Sequence, residues 1–324
     1  MSLLPFEKIK RTVLVKRDAE TTRPDPYSRS VQELLDLGIL VLNKPKGPTS
    51  HQASDYVKKI LGIPKAGHGG TLDPAVTGSL PIALGRATRV VQTLLPAGKE
   101  YVGIMHVHKD VAESVIHKAC EAFVGRILQM VPRKAAVKRQ ERERTIYYFE
   151  ILEIDGKDVL FKTGVEAGTY IRKLCHDIGR ALGVGAHMAE LIRTKAGPFT
   201  AADWVTLQDL EDGMTYFMTE KNELPLRKFI KPVEFACQHV PKMWVLDSTV
   251  DSLCHGAPLH LPGIAKLESG IEPGTTIAIM TLSGELISLG TATMTSDQIM
   301  TETKGLAAKP HTVFMQLREP KNEF

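Results

Sequence analysis

Apolar residues fall along the chain in short bursts separated by glycine, proline and charge, and the spacing inside each burst predicts an element. Gly38 to Asn43 is a continuous apolar run of strand length, stopped by Lys44-Pro45-Lys46-Gly47-Pro48. A helix follows, capped by Thr49 or Ser50, with Ala53, Val57, Ile60 and Leu61 at helical spacing and Gly62 at its end. Residues 66–85 are the most glycine-rich stretch, with Gly67, Gly69, Gly70, Gly78 and Gly85 around Thr71-Leu72-Asp73-Pro74. Beyond it the pattern predicts a strand over about Tyr101 to His108 and a helix near Val111 to Val124. Ile146 to Ile154 alternates, Asp155-Gly156 supplies a turn and Val159 to Val165 returns, which is a hairpin. A second amphipathic helix begins after Thr169, with Ile171, Leu174, Cys175 and Ile178 on one face and Gly183 past its end.

The two ends of the chain have a different texture. Residues 1–35 read as an irregular extension in which Pro24 and Pro26 interrupt any helix. From about Pro241 short strands and glycine turns take over, including a hairpin across Ser283-Gly284, and these last 80 or so residues suit a small β-barrel. The expected organisation is a basic extension over 1–35, a larger domain over 36–240 with an antiparallel or mixed sheet, and a small β domain over 241–324.

Composition narrows the class. With 324 residues, 43% of them apolar and 24% charged, the chain reads as a soluble globular protein of about two domains. Its longest apolar runs, Gly38 to Leu42 and Thr276 to Leu282, fall far below the roughly 20 residues of a bilayer-spanning helix. Lys8, Lys10 and Arg11 interrupt any secretory core, so a cytoplasmic protein without membrane contact is expected. Cys120, Cys175, Cys237 and Cys254 stand far apart with no C-x-x-C spacing, so reduced thiols and no structural zinc are expected.

The net charge of +4 is a small difference between 41 basic and 37 acidic residues, so its distribution matters more. Arg126, Arg133, Lys134, Lys138, Arg139, Arg142 and Arg144 face only Glu141 and Glu143 in one stretch. The amino-terminal residues add Lys8, Lys10, Arg11, Lys16, Arg17, Arg23 and Arg29. Each run is either a solvated face or a surface for a polyanion such as nucleic acid.

Two residues carry the candidate chemistry. Pro74 disfavours the α region for Asp73, which keeps that carboxylate on an extended, glycine-lined loop. Such an Asp is either a turn residue or a reactive group; a Walker phosphate cradle is excluded because no G-K-[ST] follows the glycines. Arg172 falls in the first turn of its predicted helix, where the macrodipole disfavours a cation. An anion should face it, whether Asp73, a substrate phosphate or an ordinary surface carboxylate. His106 and His108 lie two apart on a predicted strand and share a face, but no third ligand at a recognisable spacing joins them, so no metal site is expected. Tyr101 and His68 are, on residue type alone, either an ordinary strand aromatic and loop histidine or parts of a site.

The segment Gly67-His68-Gly69-Gly70-Thr71-Leu72-Asp73-Pro74-Ala75-Val76-Thr77-Gly78 closely resembles the G-H-x-G-T-L-D-P-x-x-T-G signature of pseudouridine synthases that act on tRNA T-loops and on RNA-guided sites. Lys44-Pro45-x-Gly47-x-Thr49-Ser50, Lys99-Glu100-Tyr101, Gly168-Thr169-Tyr170-Ile171-Arg172 and Arg193-Thr194-x-x-Gly197-Pro198-Phe199 match its other motifs in order, over about 160 residues. The segment Lys242 to Lys304 resembles the PUA domain of the archaeal and eukaryotic H/ACA enzymes, the dyskerin family. Gly69 departs from the commoner Ser or Thr, and the long Lys-rich eukaryotic tail is not in this sequence, which points to an archaeal-type member.

The resemblance implies an α+β pseudouridine synthase fold with a mixed, mainly antiparallel sheet flanked by helices, a PUA barrel, and an amino-terminal extension packed on it. It implies that Asp73 is the catalytic carboxylate, that Tyr101 stacks on the target base and that Arg172 pairs with Asp73. Substrate contacts are implied for His68, Lys44, Gly70, Tyr170 and Leu191, and guide-RNA contacts for His255, Gly256, Ala257, Gly263 and Lys266. No cofactor is implied. The implied partners are a box H/ACA guide RNA, substrate rRNA and also tRNA, the small H/ACA core proteins and a kink-turn-binding protein. A stand-alone T-loop enzyme and a non-catalytic PUA scaffold are the alternatives. Removal of 241–324 is expected to cost guide binding far more than it disturbs the catalytic fold.

Overall fold

The computed structural model describes residues 2–131 and 140–316. The strands in chain order begin with β1 (Val13–Val15), β2 (Gly38–Lys44), β3 (Ala66–His68), β4 (Thr77–Leu84) and β5 (Lys99–Val107). Next come β6 (Gly125–Met130), β7 (Glu141–Asp155), β8 (Asp158–Val165), β9 (Ala186–Ala196), β10 (Trp204–Val205) and β11 (Lys231–Pro232). The carboxy-terminal part supplies β12 (Lys242–Val245), β13 (Leu259–His260), β14 (Ile264–Glu268), β15 (Thr276–Thr281), β16 (Leu286–Ala292) and β17 (Leu306–Val313).

They form two mixed, mainly antiparallel sheets. The ten-stranded sheet runs β10-β2-β4-β9-β5-β8-β7-β6, with β11 on β2 and β3 on β4. Its β4–β9 and β10–β2 pairs are parallel. The seven-stranded sheet runs β1-β14-β12-β15-β16-β17-β13. Helices Ser50–Ile60, Ile171–Ala181 and Leu207–Glu220 cover the large sheet with apolar stripes that include Val57, Leu174, Ile178 and Leu210. Thr49 caps the first of these, its hydroxyl accepting from the Gln52 N–H while Gln52 returns a bond to the Thr49 N–H. Among the described residues no helix is long and apolar enough to cross a membrane.

Three expectations are corrected. Residues 1–35 are not wholly irregular: β1 joins the edge of the second sheet against β14, and a helix begins at Val31. Three residues between Thr12 and Lys16 carry no readable strand signal, and the pairing exists only because β14 presents an open edge. The helix sought over Val111 to Val124 is shorter, Glu113–Glu121. The hairpin turns on Gly156 and Lys157, since Asp155 still pairs with Asp158.

One glycine fixes how the large sheet closes beside the signature loop. Gly78 has φ +101°, and a Cβ there would lie 2.3 Å from the Arg193 carbonyl oxygen. Only glycine lets β4 run this close to β9.

Candidate active site

The signature loop hangs between β3 and β4, and its apolar residues decide where Asp73 points. Leu72 and Val76 are buried on either side, and Ser50, itself buried, both donates to the Leu72 carbonyl (3.1 Å) and accepts from the Leu72 N–H (2.7 Å). The Val76 N–H closes a turn onto the Asp73 carbonyl (3.0 Å). The intervening carboxylate is thereby turned outward, its side chain 54% exposed.

Arg172 reaches it from the second position of the helix Ile171–Ala181, Nη2 donating to Asp73 Oδ2 at 2.7 Å. The helix buries Ile171, Leu174, Cys175 and Ile178, which leaves Arg172 on its open side. The arginine side chain is 60% exposed, so the pair is solvent-screened and contributes about 0.2–1 kcal/mol to stability. Its use is to place charge. Tyr170, whose backbone enters this helix, is clamped by Gln129: Oε1 accepts from the Tyr170 N–H (2.7 Å) and Nε2 donates to the Tyr170 carbonyl (3.1 Å).

Beneath the loop lies a floor of buried cations bonded to main-chain oxygens. Arg193, 1% exposed, donates from Nε to the Ser79 carbonyl (2.7 Å), from Nη1 to Thr71 (3.2 Å) and from Nη2 to Gly70 (3.2 Å). Lys99 donates to the carbonyls of Leu94, Leu95 and Ala97. Burial, with Arg193 nearby, pushes its ammonium down to about 7. Lys44 requires a correction. It is fully buried, with Nζ donating to the carbonyls of Pro45, Pro48 and Pro74, so its three protons are committed and it braces the loop instead of touching substrate. Burial lowers its pKa, Arg193 lowers it further, and Asp73 works in the opposite direction.

The remaining expected residues surround this floor. Tyr101 on β5 lies directly opposite Arg193 on β9 and is mostly buried. Leu191, two residues before Arg193, packs in the same core and faces Gly103. Gly70 has φ +139° and offers its carbonyl to Arg193. His68 ends β3, immediately before the loop; its Nδ1 is enclosed without a hydrogen-bond partner, and burial, then Arg193 and His51, lower its pKa. Glu100 is also buried, accepting from the Tyr148 hydroxyl (2.5 Å) and the Thr194 hydroxyl (2.8 Å).

Reading by residue type missed Gln129 and gave Arg193 no role. Nothing around Gln129 marks it. Arg193 stood inside a recognised motif, but a buried arginine is identified only by the oxygens it meets.

The second sheet holds the other group. His255 and Gly256 are exposed past the end of helix Asp247–Cys254, and Ala257 is half-buried beside them. Gly263 and Lys266 differ in what surrounds them. Gly263 is buried with a would-be Cβ 2.7 Å from Thr249, which makes it a packing position. Lys266 lays its ammonium over the Trp244 ring, 5.1 Å from the centroid. The amino-terminal cations are also largely engaged internally. Lys16 caps helix Ser296–Thr301 through the carbonyls of Ile299 and Glu302, Arg17 binds the Pro262 carbonyl, and Arg23 pairs with Asp247. In the other basic stretch Arg126 is exposed and Arg144 faces Glu166; Arg133, Lys134, Lys138 and Arg139 lie outside the described residues.

His106 and His108 do meet, joined by His187: His108 Nε2 and His187 Nδ1 share a hydrogen bond at 3.0 Å, and His106 Nδ1 bonds Asp158 at 2.7 Å. Among the described residues no cluster of three or more His, Cys, Asp or Glu side chains is arranged to hold a metal ion. The cysteines are free, and burial pushes the Cys120 and Cys237 thiols up to about 12, so neither is a nucleophile.

Known proteins resemble this chain over nearly its whole length. Residues 58–171 match the profile of the TruB family pseudouridylate synthase (N terminal domain), and residues 172–238 that of the tRNA pseudouridylate synthase B C-terminal domain. Residues 241–314 match the PUA domain and 2–54 the DKCLD (NUC011) domain. The chain is 53% identical over 318 residues to the "Probable tRNA pseudouridine synthase B" of Pyrococcus horikoshii, covering 97% of this chain and 95% of that protein. To the protein of the same name from Methanopyrus kandleri it is 50% identical over 97% of this chain and 93% of that one. Among solved structures it superposes with TM-score 0.92 and 52% identity on a chain of a Cbf5-Nop10-Gar1 complex, covering 97% of each. It matches a chain of an H/ACA RNP bound to a substrate RNA containing 2'-deoxyuridine with TM-score 0.91 and 50% identity, again over 97% of each.

Proposed function

Because this chain belongs to the TruB family of pseudouridylate synthases, we propose that it is the catalytic subunit of an H/ACA guide ribonucleoprotein, isomerising selected uridines of rRNA to pseudouridine in the cytoplasm. The observation that carries the proposal is likeness over essentially the whole of both chains to the Cbf5 subunit of a Cbf5-Nop10-Gar1 complex. That likeness spans the amino-terminal segment and the PUA domain as well as the catalytic sheet. In this reading a guide RNA pairs around the target, and the small core proteins and a kink-turn-binding protein complete the particle. His255 and Gly256, with half-buried Ala257 beside them, then form a corner for the guide.

The reaction breaks the N-glycosidic bond, turns the uracil and joins its C5 to C1' of the ribose; the C5 proton is lost and N1 gains one. No atoms are added and no electrons leave. Asp73 serves as nucleophile toward the ring or as base toward the sugar, and Arg172, donating to it at 2.7 Å, fixes where the carboxylate stands for either use. The target base must leave its stack at a cost of a few kcal/mol, which contacts from Tyr101, Leu191, Tyr170 and His68 offset.

The test is reconstitution with guide RNA and the partner proteins, followed by pseudouridine mapping in rRNA and tRNA. Guided turnover that Asp73→Asn abolishes, with RNA affinity held within about threefold, is the expected result; an active Asp73→Asn enzyme defeats the site assignment. The second reading is favoured by the relatives' names as tRNA pseudouridine synthase B. Turnover of bare tRNA without guide or partners, and none on a guided strand, would select it.

A further inference from the structure

We infer that Arg193 is the positioning residue that holds the Asp73 loop in register with Tyr101, one guanidinium tying the loop shut across its neck. The inference rests on the assignment of Asp73 and Tyr101 to the active site made above.

A buried guanidinium is costly to desolvate and is ordinarily matched to a carboxylate. Arg193 instead spends its hydrogen bonds on carbonyls, and their positions are informative. Gly70 and Thr71 lie before Asp73, while Ser79 lies six residues after it. The planar fork therefore joins the entry of the loop to its exit. The arginine's own backbone also holds the exit of the loop, since Arg193 pairs with Gly78 in the parallel β4–β9 ladder at a distance that tolerates no side chain.

On its second edge β9 pairs with β5, and there Arg193 lies opposite Tyr101, so the two side chains share one face of the sheet. The register shifts between Glu100 and Tyr101, one extra residue of β9 being accommodated at that step. Such a bulge re-aims the side chains next to it. Without the shift, alternation would send Arg193 and Tyr101 to opposite faces. One residue thus touches the carbonyls that flank the carboxylate and stands opposite Tyr101 in the strand ladder. Lysine cannot copy this, because an ammonium is a point charge on a flexible four-carbon stem and does not present donors in a plane.

The test uses the full chain in the reconstituted particle, reading single-turnover release of tritium from a [5-3H]uridine target together with RNA affinity and a thermal melt. For Arg193→Lys we expect the rate constant at saturating RNA to fall about 100-fold, the scale of a 1 Å misplacement, with affinity unchanged within about threefold. Gly70→Ala probes the same tie with Arg193 intact: the site has room for a methyl group, 3.7 Å from Lys99, but its φ of +139° disfavours one. That variant should lose about tenfold, and combining the two should be no worse than Arg193→Lys alone, as for residues acting through one contact. A rate for Arg193→Lys within about threefold of wild type, a matching loss of RNA affinity, or additive losses in the double variant would overturn the inference. If Arg193→Lys does not melt cooperatively, Gly70→Ala decides, and wild-type turnover there overturns it. Asp73→Asn run alongside separates the two ideas: an active Asp73→Asn sinks the site, whereas an inactive one beside a fully active Arg193→Lys sinks only the positioning role.

Discussion

Asp73 is an exposed acid held by buried neighbours, and that contrast sets what its substitutions should do. Removing Arg172 breaks an ion pair that is more than half in water, so Arg172→Ala should shift unfolding free energy by less than about 1 kcal/mol. Its turnover should nevertheless fall by about 100-fold or more, the scale seen when one group that stabilises transition-state charge is lost. A melt and an activity assay on the same preparation check both halves, and wild-type turnover would remove Arg172 from the site. Lys99 makes a prediction about pH. Its folded pKa of about 7 lies below the ordinary lysine value, so the unfolded chain binds the extra proton between those two points. Stability from this residue therefore rises with pH above about 7 and is flat at its lowest level below it. Relative to Lys99→Met, the wild type should gain stability as pH rises from about 7 toward 10, measured by denaturant titration; a parallel pair of curves would contradict the assignment.

The strand pair β4–β9 and the helix Ile171–Ala181 bring these residues together, and each depends on one position away from the chemistry. Gly78→Ala places a methyl group against the Arg193 main chain, which cannot yield as a side-chain tip would. It should cost about 2 kcal/mol or more, with turnover falling alongside. Gln129→Leu leaves the Tyr170 N–H and carbonyl without their clamp, a loss of about 1–3 kcal/mol that denaturant melts would register. At this level the sequence was legible where the period was strong. The runs at Gly38, Ala53 and Ile171 became the strand and helices their spacing predicts, because each buries a face long enough to outweigh local alternatives. It was silent at β1, where three residues acquire strand structure only from their partner.

The two sheets share a core, which alters an expectation drawn from sequence. Ala278, Met280, Leu286, Leu289 and Phe314 pack in one cluster with Ile39, Val41, Ala83, Phe199 and Val233. Deleting 241–324 would strip that face from the catalytic part, so loss of the catalytic fold should accompany loss of guide binding, and far-UV and thermal measurements on the truncated chain would show it. Arg29 pins the same junction. Its guanidinium is bidentate to Glu234 (2.7 and 2.9 Å) and also reaches Glu285 at 3.1 Å, joining the amino-terminal segment, the catalytic part and the β15–β16 hairpin. Because both partners are buried, Arg29→Ala should cost about 3–5 kcal/mol, read as a lowered midpoint of unfolding. The engagement of Lys16, Arg17 and Arg23 within the protein means that RNA affinity should depend little on them, although overall binding should still weaken steeply with salt.

By itself the sequence determined the local elements, the loop that Pro74 and its glycines impose on Asp73, and the order of motifs that marks the chemistry. These are properties of residues near one another along the chain, where steric restriction and apolar period act directly. What faces what was decided by tertiary structure: Arg193 on the neck of the loop, Lys44 turned inward, Lys16 and Arg17 spent on carbonyls, Arg23 and Arg29 on carboxylates. A charged side chain has no preferred environment of its own. Whether it meets water, a carboxylate or a ring of main-chain oxygens depends on which strands the register brings alongside, and no neighbour in sequence carries that information.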